Sequence, residues 1–270
     1  MIRQPIVAGK FYPATKEAIR KQLRLFLSEP VKKEEAIACI MPHAGYIYSG
    51  EVATKTAASI ELKENIILLG PNHTGMGDTF SITTDKEWVT PLGSIKIDTE
   101  VVQHLKKECS LIKENNSAHN YEHSLEVQLP ILQYLAKKEF SIIPMILMSS
   151  SKSNYEKIAQ AIYQTIIDLN ISDKTTIIAS SDMTHYESQK SANRKDHLAI
   201  EAILKLDEDL FLGNIDKYDI SMCGYVPSVI AIITAKKLGA NRAKLVKYMT
   251  SGDSTGDYNS VVGYAGITIS

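Results

Sequence analysis

Asn65-Ile-Ile-Leu-Leu69 is a continuous apolar run that breaks off into Gly70-Pro-Asn-His-Thr-Gly75. A short apolar run closed by Gly and Pro reads as a strand buried on both faces, the kind found in parallel sheets. Three more stretches read the same way: Ala36-Ile-Ala-Cys-Ile-Met41, Ser141-Ile-Ile-Pro-Met-Ile-Leu-Met148 and Thr175-Thr-Ile-Ile-Ala179. Pro144 weakens the second of these, because proline withholds a ladder donor and suits an edge or a bulge. Helical patterns lie between the runs. Asn154 to Leu169 carries Ile158, Ile162 and Ile166 at i, i+4 and i+8, and Thr99 to Cys109 follows an Asp98 N-cap. Glu51–Ile60, Leu125–Ala136, Ala192–Leu206 and Pro227–Leu238 complete the set. Glu87 to Ile97 reads as a hairpin around Pro-Leu-Gly, and Lys244–Tyr248 and Val261–Ile269 read as two strands around a polar loop. Strand–helix alternation of this kind predicts a three-layer α/β/α fold with a mixed, largely parallel central sheet. No linker or repeat divides the chain, so residues 1–270 are expected to form a single domain.

The 270 residues carry 30 Lys and Arg against 31 Asp and Glu, a net charge of -1. That balance lacks the cationic excess of a nucleic-acid binder. Apolar stretches such as Ile142–Met148 fall far short of the roughly 20 residues that span a bilayer. The start, Met-Ile-Arg-Gln-Pro, has no apolar secretory core, and the three cysteines have no CxxC spacing. A cytoplasmic protein with free thiols and no membrane association is expected.

The chemistry gathers at the ends of the predicted strands. His43 follows the first in Pro42-His-Ala-Gly-Tyr46, and His73 follows the second in Gly70-Pro-Asn-His73. His185 follows the fourth in Ser180-Ser-Asp-Met-Thr-His185, and Ser254 lies in the polar C-terminal loop. Ligand crevices of open α/β sheets lie beyond the carboxyl ends of the strands. Parallel strands would therefore bring these groups, with Asp182, to one edge. Glu122-His-Ser-Leu-Glu126 has two readings: a helix entry with first-turn acids, or a carboxylate and an imidazole aimed into the crevice. His104, in an amphipathic helix, reads as solvated, and His197, in the Ala192–Leu206 helix, as surface or helix packing. Imidazoles with a carboxylate suit Fe(II), while the same set holds Zn(II) for hydrolysis. The nucleophile elbow and the phosphate-binding glycine loops are missing.

At these residues the sequence resembles the Memo family (mediator of ErbB2-driven cell motility, also known as AmmeMemoRadiSam system protein B). The likeness runs through Arg3-Gln-Pro-Ile-Val-Ala-Gly-Lys-Phe-Tyr-Pro13, Pro42–Tyr46, Gly70–His73, Glu122–Glu126, Ser180–His185, Cys223-Gly224 and Val262-Gly-Tyr-Ala-Gly266. It implies a fold similar to that of class III extradiol dioxygenases, non-haem iron enzymes that cleave catechol rings. It implies metal binding by His43 and His73 and proton transfer by His185, with Asp182 beside it. Animal relatives supply a cysteine as third ligand, and matching the C-terminal motif puts Ser254 there, a departure that weakens the site. Either Asp253 or Asp257 then supplies the missing charge, or the metal is held weakly by histidines and water. Asn72, Tyr46, Glu122, His123 and Cys223 are further candidates for the pocket, with Tyr48 and Tyr225. Fe(II) is the expected cofactor, with Cu and Zn as alternatives. Two activities follow: a dioxygenase-like oxidoreductase, or a worn site that binds a small molecule or peptide and works with AMMECR-type and radical SAM partners.

Overall fold

The four apolar runs become the parallel centre of one sheet in the computed structural model, which describes residues 1–270. In chain order its strands are β1 (Ile2–Arg3), β2 (Ala38–Met41), β3 (Asn65–Pro71), β4 (Phe80–Ile82), β5 (Glu87–Thr90), β6 (Gly93–Ile97), β7 (Lys113–Glu114), β8 (Ser141–Leu147), β9 (Thr175–Ser180), β10 (His185–Glu187), β11 (Ala243–Thr250) and β12 (Val261–Ile269). The order across the sheet is β1-β5-β6-β8-β3-β9-β2-β12-β10. β11 pairs with β12, and β4 pairs with β7 and β8. β6, β8, β3, β9 and β2 run parallel, with Leu68 facing Pro144 on one side and Ile178 on the other. β12 is antiparallel to β2 and β11 is antiparallel to β12, so β11 points the same way as β2.

Pro144 lies inside the sheet, not at an edge. β3 pairs with the whole of β8 on one flank. On the other flank β6 pairs with Ser141 and Ile142, and β4 pairs with Met145 to Leu147. Pro144 falls where that flank passes from one partner to the next, so its missing N–H breaks no ladder there.

Helices cover both faces. Thr99–Glu108, Lys152–Asp168, Tyr225–Lys237, Glu208–Lys217 and Gln189–Leu204 pack in succession on one face, and Lys16–Phe26, Tyr46–Ala58 and Leu129–Leu135 cover the other. One cluster of buried apolar residues runs from Val7 to Ile269. Two of the longer helices were not legible in the apolar pattern: Lys16–Phe26, capped by Thr15, and Glu208–Lys217, capped by Asp207. The helix expected from Glu51 begins at Tyr46, directly after the β2 loop. The segment expected as one helix from Leu125 is a 3₁₀ turn, Glu126–Gln128, followed by an α-helix from Leu129. Pro130 explains the change, because it has no N–H for an α-type bond within that first turn. The hairpin and the C-terminal strand pair form as expected.

Candidate metal centre

β2, β3 and β9 end side by side, and two residues beyond each end stand His43, His73 and Asp182. A crevice of about 690 Å³ opens at this edge. His43, His73, His123, Asp182 and His185 line it, with Phe11, Tyr48, Tyr186 and Tyr264 as aromatic walls. The loop after β11 closes one side with Ser251, Thr255, Asp257 and Ser260.

Three imidazoles converge on the crevice floor. One ring nitrogen each from His43, His73 and His123 lies within 4.8 Å of the others. The His73 and His123 rings stack 4.8 Å apart, and His43 meets His73 nearly edge-on at 5.2 Å. The chain positions each ring. Asp182 Oδ1 accepts from the His43 N–H at 2.7 Å and the Ala44 N–H at 3.3 Å, which ties the β2 loop to the β9 loop. Glu122 accepts from the His73 N–H at 2.6 Å, from His73 Nδ1 at 2.9 Å and from the Ser124 N–H at 2.9 Å. Gly70 lets the end of β3 pass beneath the segment that carries His123, since a Cβ there would stand 2.6 Å from Leu125 Cδ2.

These partners also decide the tautomers. The Ser180 hydroxyl donates to Ser124 O at 2.7 Å, so toward His43 Nδ1, 2.9 Å away, it accepts. Gln128 Nε2 also donates to it, at 2.8 Å. The proton of neutral His43 therefore sits on Nδ1, and the Nε2 lone pair faces the Cys223 thiol at 3.3 Å. The Glu122 carboxylate places the His73 proton on Nδ1 in the same way. His185 Nδ1 lies 2.8 Å from Ser221 O, a carbonyl that only accepts, so its Nε2 is bare.

Electrostatics follow from burial and neighbours. Burial, with His73, His123 and His185 nearby, holds the His43 imidazole well below the ordinary range. Burial also lowers His123, with Glu122 pulling the other way. Burial opposes protonation of His73, but the Glu122 bond and charge outweigh it and the imidazole is raised. Burial pushes Glu122 upward, yet the His73 bonds win and hold its carboxyl down at about 2. Burial raises Asp182 to about 6 against the two backbone N–H groups it accepts.

The family profile described as "Memo-like protein" matches residues 3–268. The chain belongs to the Memo family. It is 39% identical to the MEMO1 family protein MK0963 of Methanopyrus kandleri, with 99% of this chain and 98% of that one covered. It is 41% identical to the MEMO1 family protein of Aquifex aeolicus and 40% identical to SSO0066 of Saccharolobus solfataricus, each with 98% of both chains covered. The crystal structure of uncharacterized protein JW3007 from Escherichia coli K12 matches with a TM-score of 0.55 at 10% identity, over 86% of this chain and 98% of that one. That likeness speaks to the α/β fold alone.

Against the Memo motifs, the structure sorts the expected residues. His43, His73, His123, Asp182 and His185 come together, and Glu122 stands directly behind His73. Ser254 does not join them. It is exposed on the short helix Gly252–Thr255 and lies outside both the imidazole cluster and the crevice lining. The thiol that touches the cluster belongs to Cys223, whose Sγ lies 3.3 Å from His43 Nε2 and accepts the Asp182 N–H at 3.3 Å. Gly224 makes that approach possible, because a Cβ there would stand 2.3 Å from Ser180 O. Cys223 lies 180 residues from His43 in sequence. Burial, with Asp182 nearby, raises the Cys223 thiol far above its ordinary range.

Other candidates have structural tasks. Tyr46 is buried and donates to Val127 O, so Tyr48 takes the crevice wall instead. Asn72 Oδ1 accepts from the Thr74 and Gly75 N–H groups and shapes the turn after His73. Asp253 accepts from the Thr250 N–H, and Tyr225 bonds the Ser149 hydroxyl. Phe11 and Ser180 lie within the quoted motifs but were not singled out, and Ser221 carried no sequence signal, because each acts through a contact with a distant segment. His104 is half-buried against Thr165, whereas His197 is exposed on its helix. No helix is long and apolar enough to cross a membrane.

Proposed function

We propose that the crevice holds one redox-active metal ion, iron(II), on His43, His73 and His123, with the Cys223 thiol as a further donor, and that the protein is a dioxygenase-like oxidoreductase acting on a small organic substrate. The observation that carries this reading is the convergence of the three imidazoles, with the Nδ1 protons of His43 and His73 committed to Ser180 and Glu122. Outer bonds of this kind orient metal-ligating histidines and leave Nε2 lone pairs for an ion. The donor set fits a first-row transition metal, and imidazole serves Zn and Cu as well as Fe.

A bound iron ion would supply electron exchange with dioxygen. The chain supplies the rest. Asp182 holds the His43 loop in place through its backbone N–H groups. Glu122 keeps the His73 ring in register and, with Asp182, offsets positive charge at the floor. His185, anchored through Nδ1, presents bare Nε2 to the crevice as the group that takes a proton from a substrate hydroxyl.

Anaerobic calorimetric titration with Fe(II) tests the reading. Micromolar binding that disappears in His43→Ala/His73→Ala, weakens in Cys223→Ala and persists in Ser254→Ala is expected. Proton release on binding is also expected, because the raised Cys223 thiol must ionise to ligate. Unchanged iron content in the double variant would overturn the metal centre. Turnover restored by Zn(II) but not by Fe(II) would replace redox chemistry with hydrolysis.

A further inference from the structure

We infer a site for a divalent transition-metal ion of the zinc type on His104, Glu108 and Asp168, at the edge of the sheet opposite the crevice. It shares no residue with the proposed metal centre and stands or falls without it.

The fold brings two helix ends together there. β6 and β8 run parallel, and each is followed by a helix that returns along the sheet, Thr99–Glu108 after β6 and Lys152–Asp168 after β8. The two helices pack on each other, run in the same direction and finish at the amino edge. Glu108 is the last residue of the first, and Asp168 is the last residue of the second. A helix C-terminus carries partial negative charge, so a carboxylate there is unfavourable. Here two such ends and two carboxylates meet. Neither carboxylate has a Lys or Arg partner, and Lys106 of the same last turn is committed to Glu114.

An imidazole faces this negative cluster. His104 stands one turn before Glu108, on the same side of its helix. Its Nδ1 lies 3.2 Å from Thr165 Oγ1, and its Nε2 lies 3.6 Å from Asp168 Oδ2. The second distance is too long for a hydrogen bond. It matches the edge of a zinc tetrahedron, where donors about 2.1 Å from the metal lie about 3.4 Å apart. One donor atom each from His104, Glu108 and Asp168 lies within 4.8 Å of the others. Outer bonds orient the set. Thr165 holds the far side of the imidazole, and Gln164 Nε2 donates to Asp168 Oδ1 at 2.7 Å, which leaves Oδ2 for an ion. Glu108 and Asp168 also border a groove of about 640 Å³, through which water reaches the remaining coordination position. The imidazole favours a transition metal over Mg(II) or Ca(II). An ion bound here clamps two helix ends and stabilises the folded chain.

Zinc titration by calorimetry and thermal melts tests this on His43→Ala/His73→Ala, which lacks two crevice imidazoles, beside the wild type. One equivalent of Zn(II) is expected to bind the variant at micromolar concentration. At hundredfold excess over Kd it should raise Tm by about 5 °C. His104→Gln and Asp168→Asn should each abolish that rise, and Thr165→Val should weaken binding by about tenfold. Glu108→Gln should shrink the rise without lowering the metal-free Tm, because its carboxylate opposes its own helix end. In NMR spectra the His104 imidazole nitrogens should shift with zinc while those of exposed His197 stay still. If the crevice variant does not fold, the wild type should lose one zinc equivalent in His104→Gln. No zinc binding at millimolar concentration overturns the inference. So does unchanged binding in both His104→Gln and Asp168→Asn, a His104 ring that ignores zinc, or Mg(II) binding as tightly as Zn(II). Wild type that binds iron through His43 without any His104 response to zinc overturns this inference alone. A His104 response in a protein that binds no metal through His43 overturns the metal centre alone.

Discussion

Glu122→Gln isolates what the buried carboxylate does, because the substitution keeps shape and removes charge. Glu122 is 1% exposed and accepts from the His73 N–H, His73 Nδ1 and the Ser124 N–H. Its carboxyl is held at about 2 from an ordinary 4.5. At about 1.4 kcal/mol per pH unit, that gap is worth about 3 kcal/mol of stability, present above the ordinary glutamate range. The raised His73 imidazole is the other half of the same interaction and is not added. An amide offers one acceptor oxygen where two are used, and its NH₂ faces an N–H donor. Glu122→Gln is therefore expected to lose about 3 kcal/mol in urea denaturation at pH 7 and about 5–10 °C in Tm. Fe(II) affinity should fall by about 10- to 100-fold, because the His73 tautomer and angle are no longer held. A variant that melts within about 2 °C of wild type and binds Fe(II) within about threefold would refute the claim that this carboxylate orients His73.

Arg3→Ala should cost about 3–5 kcal/mol, because it strands Glu126 as an unpaired buried charge. The two side chains meet at 2.8 Å, and Glu126 also accepts from the Ile6 and Val7 N–H groups and the Tyr12 hydroxyl. A loss below about 1 kcal/mol in urea denaturation would show that the pair does not anchor the segment carrying Phe11. His119 is fully buried, and burial with Arg3 nearby lowers its imidazole to about 3. The unfolded chain then binds one more proton between pH 6.5 and about 3. Stability is fully present above 6.5 and falls by about 1.4 kcal/mol per pH unit as the pH drops through that window. His119→Leu should flatten this acid limb in denaturation at pH 6, 5 and 4, and an unchanged slope would contradict the assignment.

The four central strands, β2, β3, β8 and β9, were legible because each is buried on both faces and so reads as an unbroken apolar run. Ile66 to Leu69 and Ile177 to Ala179 are all 0% exposed. Helix beginnings were less legible. The first turn after β2 is set by the loop that holds His43, and Lys16–Phe26 buries only Ile19 and Leu23. The position of Ser254 outside the imidazole cluster was not legible, because alignment of a loop says nothing about where the loop folds. Short helix Gly252–Thr255 turns Ser254 outward, while Gly224 brings Cys223 to His43 from the start of a different helix.

The sequence alone determined the α/β architecture, the family, and the placement of His43 and His73 just past strand ends. These follow from local patterns: apolar runs, turn residues, and the rule that parallel strands deliver their carboxyl ends to one edge. Only the tertiary structure decided that His123 joins the imidazoles of His43 and His73, that the Cys223 thiol meets His43, and that Ser180, Glu122 and Ser221 hold the rings. Each of those outcomes depends on which distant segments pack together, and a hydrogen bond carries no trace along the chain of the partner that completes it.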